Sequence, residues 1–267
     1  MIGILNIQMK SVINNKHTNL EKVKNIIEQN SDKKIDLVVL PEFFSSGISD
    51  MSFKNYPEDE TGGETINFIK ELAKKYNTNI VAGSVIEKSK DKLFNTTFVV
   101  NRNGETVGKY RKIHLYNYMG GNEGELITAG DEEVVLDLDI GKIGLAICFD
   151  IRYPMHFKKL AKMGAELVVL PTAWIIPTEI YENPEAAQEM WISMNRTRAY
   201  DNMFYLVVCN QTGKFSSDRA TLGTSLIISP TAEILARADF EQNAIYSQID
   251  LNIPRLLKTC YPIANMD

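Results

Sequence analysis

Two stretches of this chain are near copies of each other. The first is Ile35-Asp36-Leu37-Val38-Val39-Leu40-Pro41-Glu42-Phe43-Phe44, and the second is Ala165-Glu166-Leu167-Val168-Val169-Leu170-Pro171-Thr172-Ala173-Trp174, 130 residues further along. Each contains a continuous apolar run, which is typical of a strand buried on both faces. Each run ends at a proline, which cannot continue a central strand. The chain therefore contains a duplicated buried strand.

The elements around the two strands also repeat in the same order. Each copy follows a strand and a helix, and it precedes a helix, a strand and a hairpin. In the first half these elements are predicted near 2–7, 18–30, 64–76, 80–85 and 97–110, and in the second half near 143–148, 154–164, 184–201, 205–209 and 225–236. We expect Pro154 in the first turn of its helix, and Asn183 and Pro184 as the cap and first position of the next.

This repeated order predicts the architecture. One such unit is a sheet with helices on one side only, and two units packed sheet on sheet bury both bare faces. The fold class is therefore α/β, a four-layer αββα sandwich built from two pseudo-repeated halves. We expect one domain over residues 1–267, with repeats of about 1–110 and 141–240 and an insertion near 111–140. The alternative, two separate three-layer domains, requires a polar linker, whereas the insertion contains several apolar residues and is typical of a functional loop.

The composition restricts the class of protein. The chain has 267 residues, of which 44% are hydrophobic, and its net charge is −5. A mildly acidic chain lacks the positive field that nucleic acids or anionic membranes attract, so we expect neither as a partner. No apolar run approaches the ~18 residues of a membrane span. The first residues enter an apolar strand with no basic region before it, which favours a cytoplasmic protein without a signal peptide.

The three cysteines are an odd number at wide spacing, which does not describe a disulfide framework. Cys209 lies inside an apolar strand and is expected to be a buried apolar residue, while Cys260 is expected in a mobile tail. Cys148 differs because its strand ends there and the chain turns at once into a helix. Backbone N–H groups at such a turn favour a thiolate and can form an oxyanion site.

Glu42 also follows a buried strand, and reactive groups collect beyond the carboxyl ends of strands in α/β sheets. With Phe43 and Phe44 after it, the carboxylate is expected to be partly desolvated, which raises its pKa toward that of a general base. The alternative is an ordinary helix-capping or solvated carboxylate.

Lys112 belongs to the segment Gly108-Lys109-Tyr110-Arg111-Lys112-Ile113-His114-Leu115, just after the first hairpin. Alternation places Tyr110, Lys112 and His114 on the face opposite to Lys109 and Arg111, which are expected to be solvated. An inward-facing lysine needs an anionic partner, and a developing oxyanion is one candidate.

The three candidates lie in short motifs: Glu42 in Leu40-Pro41-Glu42-Phe43, Lys112 in Tyr110-Arg111-Lys112-Ile113-His114-Leu115, and Cys148 in Ile147-Cys148-Phe149-Asp150-Ile151-Arg152-Tyr153-Pro154. Together these motifs resemble the three signatures of the nitrilase superfamily of carbon–nitrogen hydrolases. The resemblance covers nearly the whole chain. It implies the four-layer sandwich, a homodimer or higher homo-oligomer paired across the face with the Cys helix, and a Glu-Lys-Cys catalytic set.

A further family glutamate, seven residues before the glycine of Thr128-Ala129-Gly130, corresponds to Glu123, although Glu125 stands close by. Cys-Phe-Asp resembles the amidase and carbamoylase branches more than the true nitrilases.

The resemblance implies hydrolysis of a small linear amide, an ω-amide or similar, through a thioester on Cys148, with release of ammonia and a carboxylic acid. The Lys112 ammonium and the Phe149 N–H would hold the oxyanion. No cofactor is implied and no metal-ligand motif is present, since His17, His114 and His156 are scattered along the sequence. Tyr118, Phe149, Arg152 and Trp174 are the candidate substrate-binding residues, and Arg152 either binds a substrate carboxylate or forms a structural salt bridge.

Several alternatives remain open from the sequence. The substrate can be an N-carbamoyl compound, or an amine can accept the acyl group in place of water. His114, oriented by Asp150, can replace Glu42 as the base of Cys148. The fold can also serve a non-catalytic binding protein.

Overall fold

The computed structural model describes residues 1–118 and 121–262, with the backbone alone at 50–52. The elements of its first half are β1 (Ile2–Gln8), α1 (Lys16–Gln29), β2 (Leu37–Val39), α2 (Asp50–Asn55), α3 (Gly63–Tyr76), β3 (Asn79–Val81), β4 (Val85–Ser89), β5 (Lys92–Val100) and β6 (Thr106–Arg111). The elements of its second half are β7 (Val134–Leu138), β8 (Gly141–Leu145), α4 (Pro154–Lys162), β9 (Leu167–Thr172), β10 (Ile175–Pro177), α5 (Thr178–Glu182), α6 (Glu185–Asn202), β11 (Tyr205–Asn210), β12 (Thr212–Lys214), β13 (Arg219–Leu222), β14 (Leu226–Ile228), β15 (Ile234–Arg237), β16 (Asn243–Ile249) and α7 (Asn252–Cys260). Short 3₁₀ helices cover Glu123–Glu125 and Cys148–Arg152.

The strands form two large sheets and one small one. The first large sheet has the order β16-β1-β2-β3-β5-β4, with β6 also paired to β5, and the second has the order β15-β14-β11-β9-β8-β7. In each, three parallel strands continue into an antiparallel hairpin: β1, β2 and β3 with β5 and β6, and β8, β9 and β11 with β14 and β15. The duplicated strands are β2 and β9, and they hold equivalent places in the two sheets.

The apolar residues lie in three stacked layers of core. Val39 of β2 and Val169 of β9 belong to the cluster between the two sheets. Residues of α1 and α3 pack on the outer face of the first sheet, and residues of α4 and α6 on the outer face of the second. The Asn6 side chain also donates to the Val208 carbonyl across the sheets, at 2.9 Å. The four-layer αββα sandwich is confirmed, whereas the limits of the single domain and its two repeats stay a prediction.

Two local predictions are wrong. The strand expected over 80–85 is divided into β3 and β4, because Gly83 has a φ of +50° and turns the chain against Pro41. Helix α6 begins at Glu185, so Pro184 rather than Asn183 is its cap. Cys260 is the exposed last residue of helix α7, and the mobility expected for it stays a prediction.

The second half also supplies a strand that the repeat does not predict. β16 crosses back to the first sheet and pairs antiparallel with the whole of β1, from Ile2 with Ile249 to Gln8 with Asn243. In the described part of the chain, no helix has the length and apolar character needed to cross a membrane.

Candidate active site

The three predicted catalytic side chains lie where their strands end. Glu42 follows β2, Lys112 follows β6, and Cys148 opens the 3₁₀ turn after β8. Cys148 has a φ of +46° and Phe43, next to Glu42, a φ of +54°. Non-glycine residues adopt this left-handed conformation only where the surrounding structure holds them, and such residues concentrate at functional sites.

Lys112 joins two glutamates that are far apart in sequence. Its Nζ lies 3.0 Å from Glu42 Oε1 and 2.8 Å from Glu123 Oε2. The lysine is only 2% exposed and Glu42 only 1%, so these ion pairs are shielded from water. Glu125 instead accepts a hydrogen bond from the Asn122 side chain and is exposed. Glu123, as the resemblance implies, is the glutamate that completes the cluster.

Further polar groups that the sequence analysis missed fix both carboxylates. Asn95 Nδ2 donates to Glu42 Oε1 at 2.8 Å and to Glu123 Oε1 at 3.0 Å. The Ala173 N–H donates to Glu42 Oε2 at 2.8 Å, and the Tyr116 N–H donates to Glu123 Oε2 at 2.8 Å. Asparagine is uncommon inside strands, so its presence in β5 marks Asn95 as unusual but does not reveal its partners.

The loop that carries Glu123 is tied to the first sheet. The Thr128 N–H donates to the Leu93 carbonyl and the Gly130 N–H to the Lys112 carbonyl, at 2.7 and 2.8 Å. A Cβ on Gly130 would lie 2.3 Å from the Arg111 carbonyl oxygen, so only glycine fits there. This close approach requires a glycine at position 130, which is the residue from which the position of Glu123 was counted.

Burial and charge shift the pKa values of the cluster. Burial raises the pKa of Glu42, with the charge of Glu123 adding to the shift and Lys112 opposing it. Burial lowers the pKa of Lys112, but Glu123 and Glu42 more than offset it and raise that pKa well above its ordinary value. Burial and Glu42 also raise the pKa of the Cys148 thiol well above its ordinary range, which Lys112 only partly opposes. The turn alone favours a thiolate, whereas burial and Glu42 favour the thiol, which needs a base before it can attack.

Asp150 holds the turn that carries Cys148. Its Oδ2 accepts from the Ile147 N–H and the Tyr110 hydroxyl, both at 2.8 Å. Its Oδ1 accepts from the His114 N–H at 3.1 Å and lies 2.7 Å from His114 Nδ1. Although burial opposes it, these contacts and the nearby His156 lower the pKa of Asp150. The carboxylate thereby links the cysteine turn to the segment that follows Lys112.

The same cluster corrects the expectation that the histidines are scattered. Ligating atoms of His114, Asp150 and His156 lie within 4.8 Å of one another. Protein donors already occupy both Asp150 oxygens, so the arrangement is a hydrogen-bond network as it stands, and the absence of a metal site stays a prediction. The ring of His114 stacks on Tyr153, with centroids 3.6 Å apart. His114 is not among the described residues that line the cavity in front of Cys148.

Lys109 and Arg111 lie on the opposite face from Lys112, as the alternation predicts. They are not simply solvated, however, because both bind the buried carboxylate of Glu87, each at 2.6 Å. The inward position of Lys112 is confirmed by its burial.

A cavity of about 970 Å³ opens in front of the cluster. Its wall includes all four candidate substrate-binding residues, Tyr118, Phe149, Arg152 and Trp174. Arg219, which the sequence analysis missed, also lines it. A further part of the wall comes from helices α5 and α6 and from the small sheet, in which β10 and β13 pair with each other and line the cavity.

Comparisons with known proteins agree with this fold. The family model named carbon–nitrogen hydrolase matches residues 6–258. "Nitrilase homolog 2" of Dictyostelium discoideum is 35% identical over 256 residues, covering 93% of this chain and 75% of that protein. The protein named "Omega-amidase, chloroplastic" of Arabidopsis thaliana is 32% identical over 262 residues, covering 95% of this chain and 69% of that protein. The crystal structure of Saccharomyces cerevisiae Nit3, described as a member of branch 10 of the nitrilase superfamily, matches with a TM-score of 0.86 at 28% identity, over 98% of this chain and 94% of that chain.

Proposed function

The chain belongs to the carbon–nitrogen hydrolase family and hydrolyses an amide C–N bond, and we propose that Cys148 is its nucleophile and a linear ω-amide its substrate. The observation that carries the proposal is the cluster of Glu42, Lys112 and Glu123, whose side chains are shielded from water, beside the buried thiol of Cys148. This cluster supplies a base, a cation and a second carboxylate at one end of a cavity. These are the groups that acyl transfer through a thioester requires.

In the first half of the reaction, Glu42 takes the proton of Cys148 and the sulfur attacks the amide carbon. The oxyanion lies between the Lys112 ammonium and the N–H of Phe149, which is in the first turn of a 3₁₀ helix and so has no partner within that helix. Each such donor contributes about 3 kcal/mol of transition-state stabilisation. The tetrahedral intermediate then collapses: the C–N bond breaks, Glu42 returns the proton to nitrogen, and ammonia leaves a thioester on the sulfur.

In the second half, Glu42 takes a proton from water, and the hydroxide attacks the thioester carbon. Glu123 helps to orient the water. The C–S bond breaks, Glu42 returns the proton to sulfur, and the carboxylic acid departs. The residues of this chain supply every proton transfer in the cycle, and the proposal includes no cofactor.

Two observations support an ω-amide. The Arabidopsis relative is named an omega-amidase, and Arg152 lines the cavity on the turn that carries Cys148. Arg152 is exposed, and within the described residues no ion pair of Arg152 is found, so its guanidinium is accessible to a substrate carboxylate. A bidentate guanidinium–carboxylate contact fixes both the position and the orientation of the substrate.

We further propose that the protein acts in the cytoplasm as a homodimer. Two exposed methionines on and directly after the cysteine helix α4, Met155 and Met163, support pairing across that face. Size measurement in solution by light scattering tests this, and a monomer at micromolar concentration contradicts it.

The test is ammonia release from a panel of succinamate, glutaramate, their uncharged amide analogues and N-carbamoyl amino acids. Cys148→Ala should abolish the release, while Cys260→Ala, at an exposed cysteine, serves as the matched control. Arg152→Met should raise KM for the carboxylate-bearing amides and leave that of the uncharged ones. Preference for the N-carbamoyl compounds, or acyl transfer to added hydroxylamine without hydrolysis, would replace the ω-amidase proposal by one of its alternatives.

A further inference from the structure

The cavity is larger than the proposed chemistry requires. Cavities of ~300–1,000 Å³ hold drug-sized ligands, and this one measures about 970 Å³. The groups that act on the amide form only part of its lining. The remaining wall has a purpose that the proposed mechanism does not explain.

That remaining wall is mostly apolar. The side chains that form it away from the catalytic cluster include Ile48, Phe53, Trp174, Ile176, Ile180 and Met190. Trp174 is fixed by its contact with the buried ring of Trp191, with centroids 4.7 Å apart. The apolar surface is therefore a built part of the site.

Some of these apolar side chains are unusually accessible. Ile180 on α5 is 41% exposed and Met190 on α6 is 46% exposed, although both line the cavity. Neighbouring apolar side chains that stay exposed in this way mark a binding surface more often than a solvated one. A chain passing from Cys148 along Trp174 and Ile176 would cover them.

The charge of the wall limits what such a chain carries. Apart from Glu42, Lys112 and Glu123, the charged residues in the described lining are Arg152 and Arg219. Both are cations, and Arg219 also lies 3.8 Å from Asp218, so apart from the two glutamates the described lining offers a positively charged substrate arm no carboxylate. The lining favours an uncharged or anionic arm.

We propose that the site also accepts amides with an extended, apolar acyl chain of roughly six to ten carbons, whose far end is uncharged or anionic. The proposal rests on the amidase function proposed above and extends its substrate class. The chain lies between Trp174, Ile176, Ile180 and Met190, with the amide carbon at Cys148. Short dicarboxylic ω-amides, whose carboxylate lies at Arg152, do not reach this wall, so a longer chain gains apolar contacts that they lack.

A series of unbranched primary amides from acetamide to octanamide tests the proposal. Because the leaving group is ammonia throughout, the varied chain lies on the acyl side. Each methylene buried from water should raise kcat/KM about fourfold, so octanamide should exceed butyramide by on the order of a hundredfold. A value that stays flat or falls beyond butyramide, with succinamate preferred, would overturn the inference and leave the amidase function standing. A preference for N-alkyl acetamides would place the arm on the amine side and would also overturn it, whereas no Cys148-dependent release from any amide would overturn both proposals.

A pair of glutamate variants locates the chain. Met190→Glu puts a charge on the proposed wall, and Ile253→Glu puts the same charge on α7, outside the described cavity lining, at similar exposure, 42% against 46%. Met190→Glu should lower the octanamide-to-butyramide ratio of kcat/KM about tenfold, and Ile253→Glu should leave that ratio unchanged. In the unmodified enzyme, octanoate should inhibit competitively at a far lower concentration than butyrate, which tests the same wall without any variant. Equal inhibition by the two acids would contradict the inference.

Discussion

Replacing Lys112 by Met tests the charge balance of the site through protein stability. The lysine is 2% exposed, and its Nζ lies 3.0 Å from Glu42 and 2.8 Å from Glu123. Methionine is of similar length and removes only the charge and the three N–H donors. The variant leaves two buried carboxylates, joined by the same Asn95 side chain, without a cation between them.

The structure gives the size and the pH dependence of the effect. Removing one partner of a buried ion pair costs about 3–5 kcal/mol of folding free energy. For a chain near this size each kcal/mol lowers Tm by about 2–4 °C, so the expected loss in Tm is roughly 6–20 °C. The pKa of Glu42 is already raised above its ordinary 4.5 by burial, with Lys112 opposing that shift, so removing Lys112 raises it further. A carboxyl whose folded-state pKa exceeds its unfolded value contributes stability below the unfolded pKa, and this contribution is lost as pH rises through the folded pKa. The deficit in Tm should therefore be small near pH 5 and grow toward pH 8.

Thermal unfolding of both proteins, followed by calorimetry across this pH range, measures the deficit. The control is the double variant Lys112→Met with Glu123→Gln, which removes one of the two carboxylates and should recover part of the Tm lost at pH 8. A deficit that does not change with pH, or a double variant no more stable than the single one, would refute the reasoning. The loss would then come from packing alone.

Four further results are expected at the same site. Glu42→Gln should lower kcat by about 10²–10⁴-fold while His114→Ala lowers it about tenfold at most, as measured by ammonia release, and the reverse order would make His114 the base. Glu123→Gln removes a charge that raises the pKa of Glu42, so the acid limb of the kcat/KM profile should move to lower pH, and an unmoved limb would contradict the coupling. Asp150→Asn replaces an oxygen that accepts from two donors by an NH₂ group. Urea denaturation should show a loss of about 2–6 kcal/mol in the free energy of unfolding, and a loss below about 1 kcal/mol would show that the network does not stabilise the fold. Alkylation of Cys148 by iodoacetamide should be slow at neutral pH and rise through the alkaline range, because its pKa is raised, and a plateau at neutral pH would indicate a resting thiolate.

The sequence predicts those features of the site that local patterns determine. Pro41 ends a buried strand, and this places Glu42 at the carboxyl edge of the sheet. Alternation along β6 turns Lys112 inward, and the strand-to-helix turn places Cys148 at the same edge. Each prediction needs only a few neighbouring residues and the rule that strand ends meet at one edge.

Groups whose partners are distant in sequence were not predicted. Asn95 is 53 residues from Glu42 and 28 from Glu123, so nothing near it in the chain indicates that it joins them. The crossing of β16 to the first sheet depends on how the two halves pack, and the repeat, which places the end of the second half near residue 240, does not contain it. The direction of the Cys148 pKa shift could not be predicted either, since a helix amino end lowers the pKa while the depth of burial, known only from the structure, raises it.

In the proposed mechanism, the two glutamates of the cluster act differently on the lysine. At rest, the ammonium of Lys112 is shared by Glu42 and Glu123, and the three groups together carry one net negative charge, which disfavours an anion beside them. When Glu42 takes the proton of Cys148, one of the two carboxylates becomes neutral and the net charge falls to zero. The field of Lys112 is then less compensated at the moment when the oxyanion forms, and Glu123 keeps the lysine protonated and in place. The general base therefore also controls the strength of the electrophile, and a variant that neutralises Glu42 in advance would bind an anionic analogue of the tetrahedral intermediate more tightly while losing turnover.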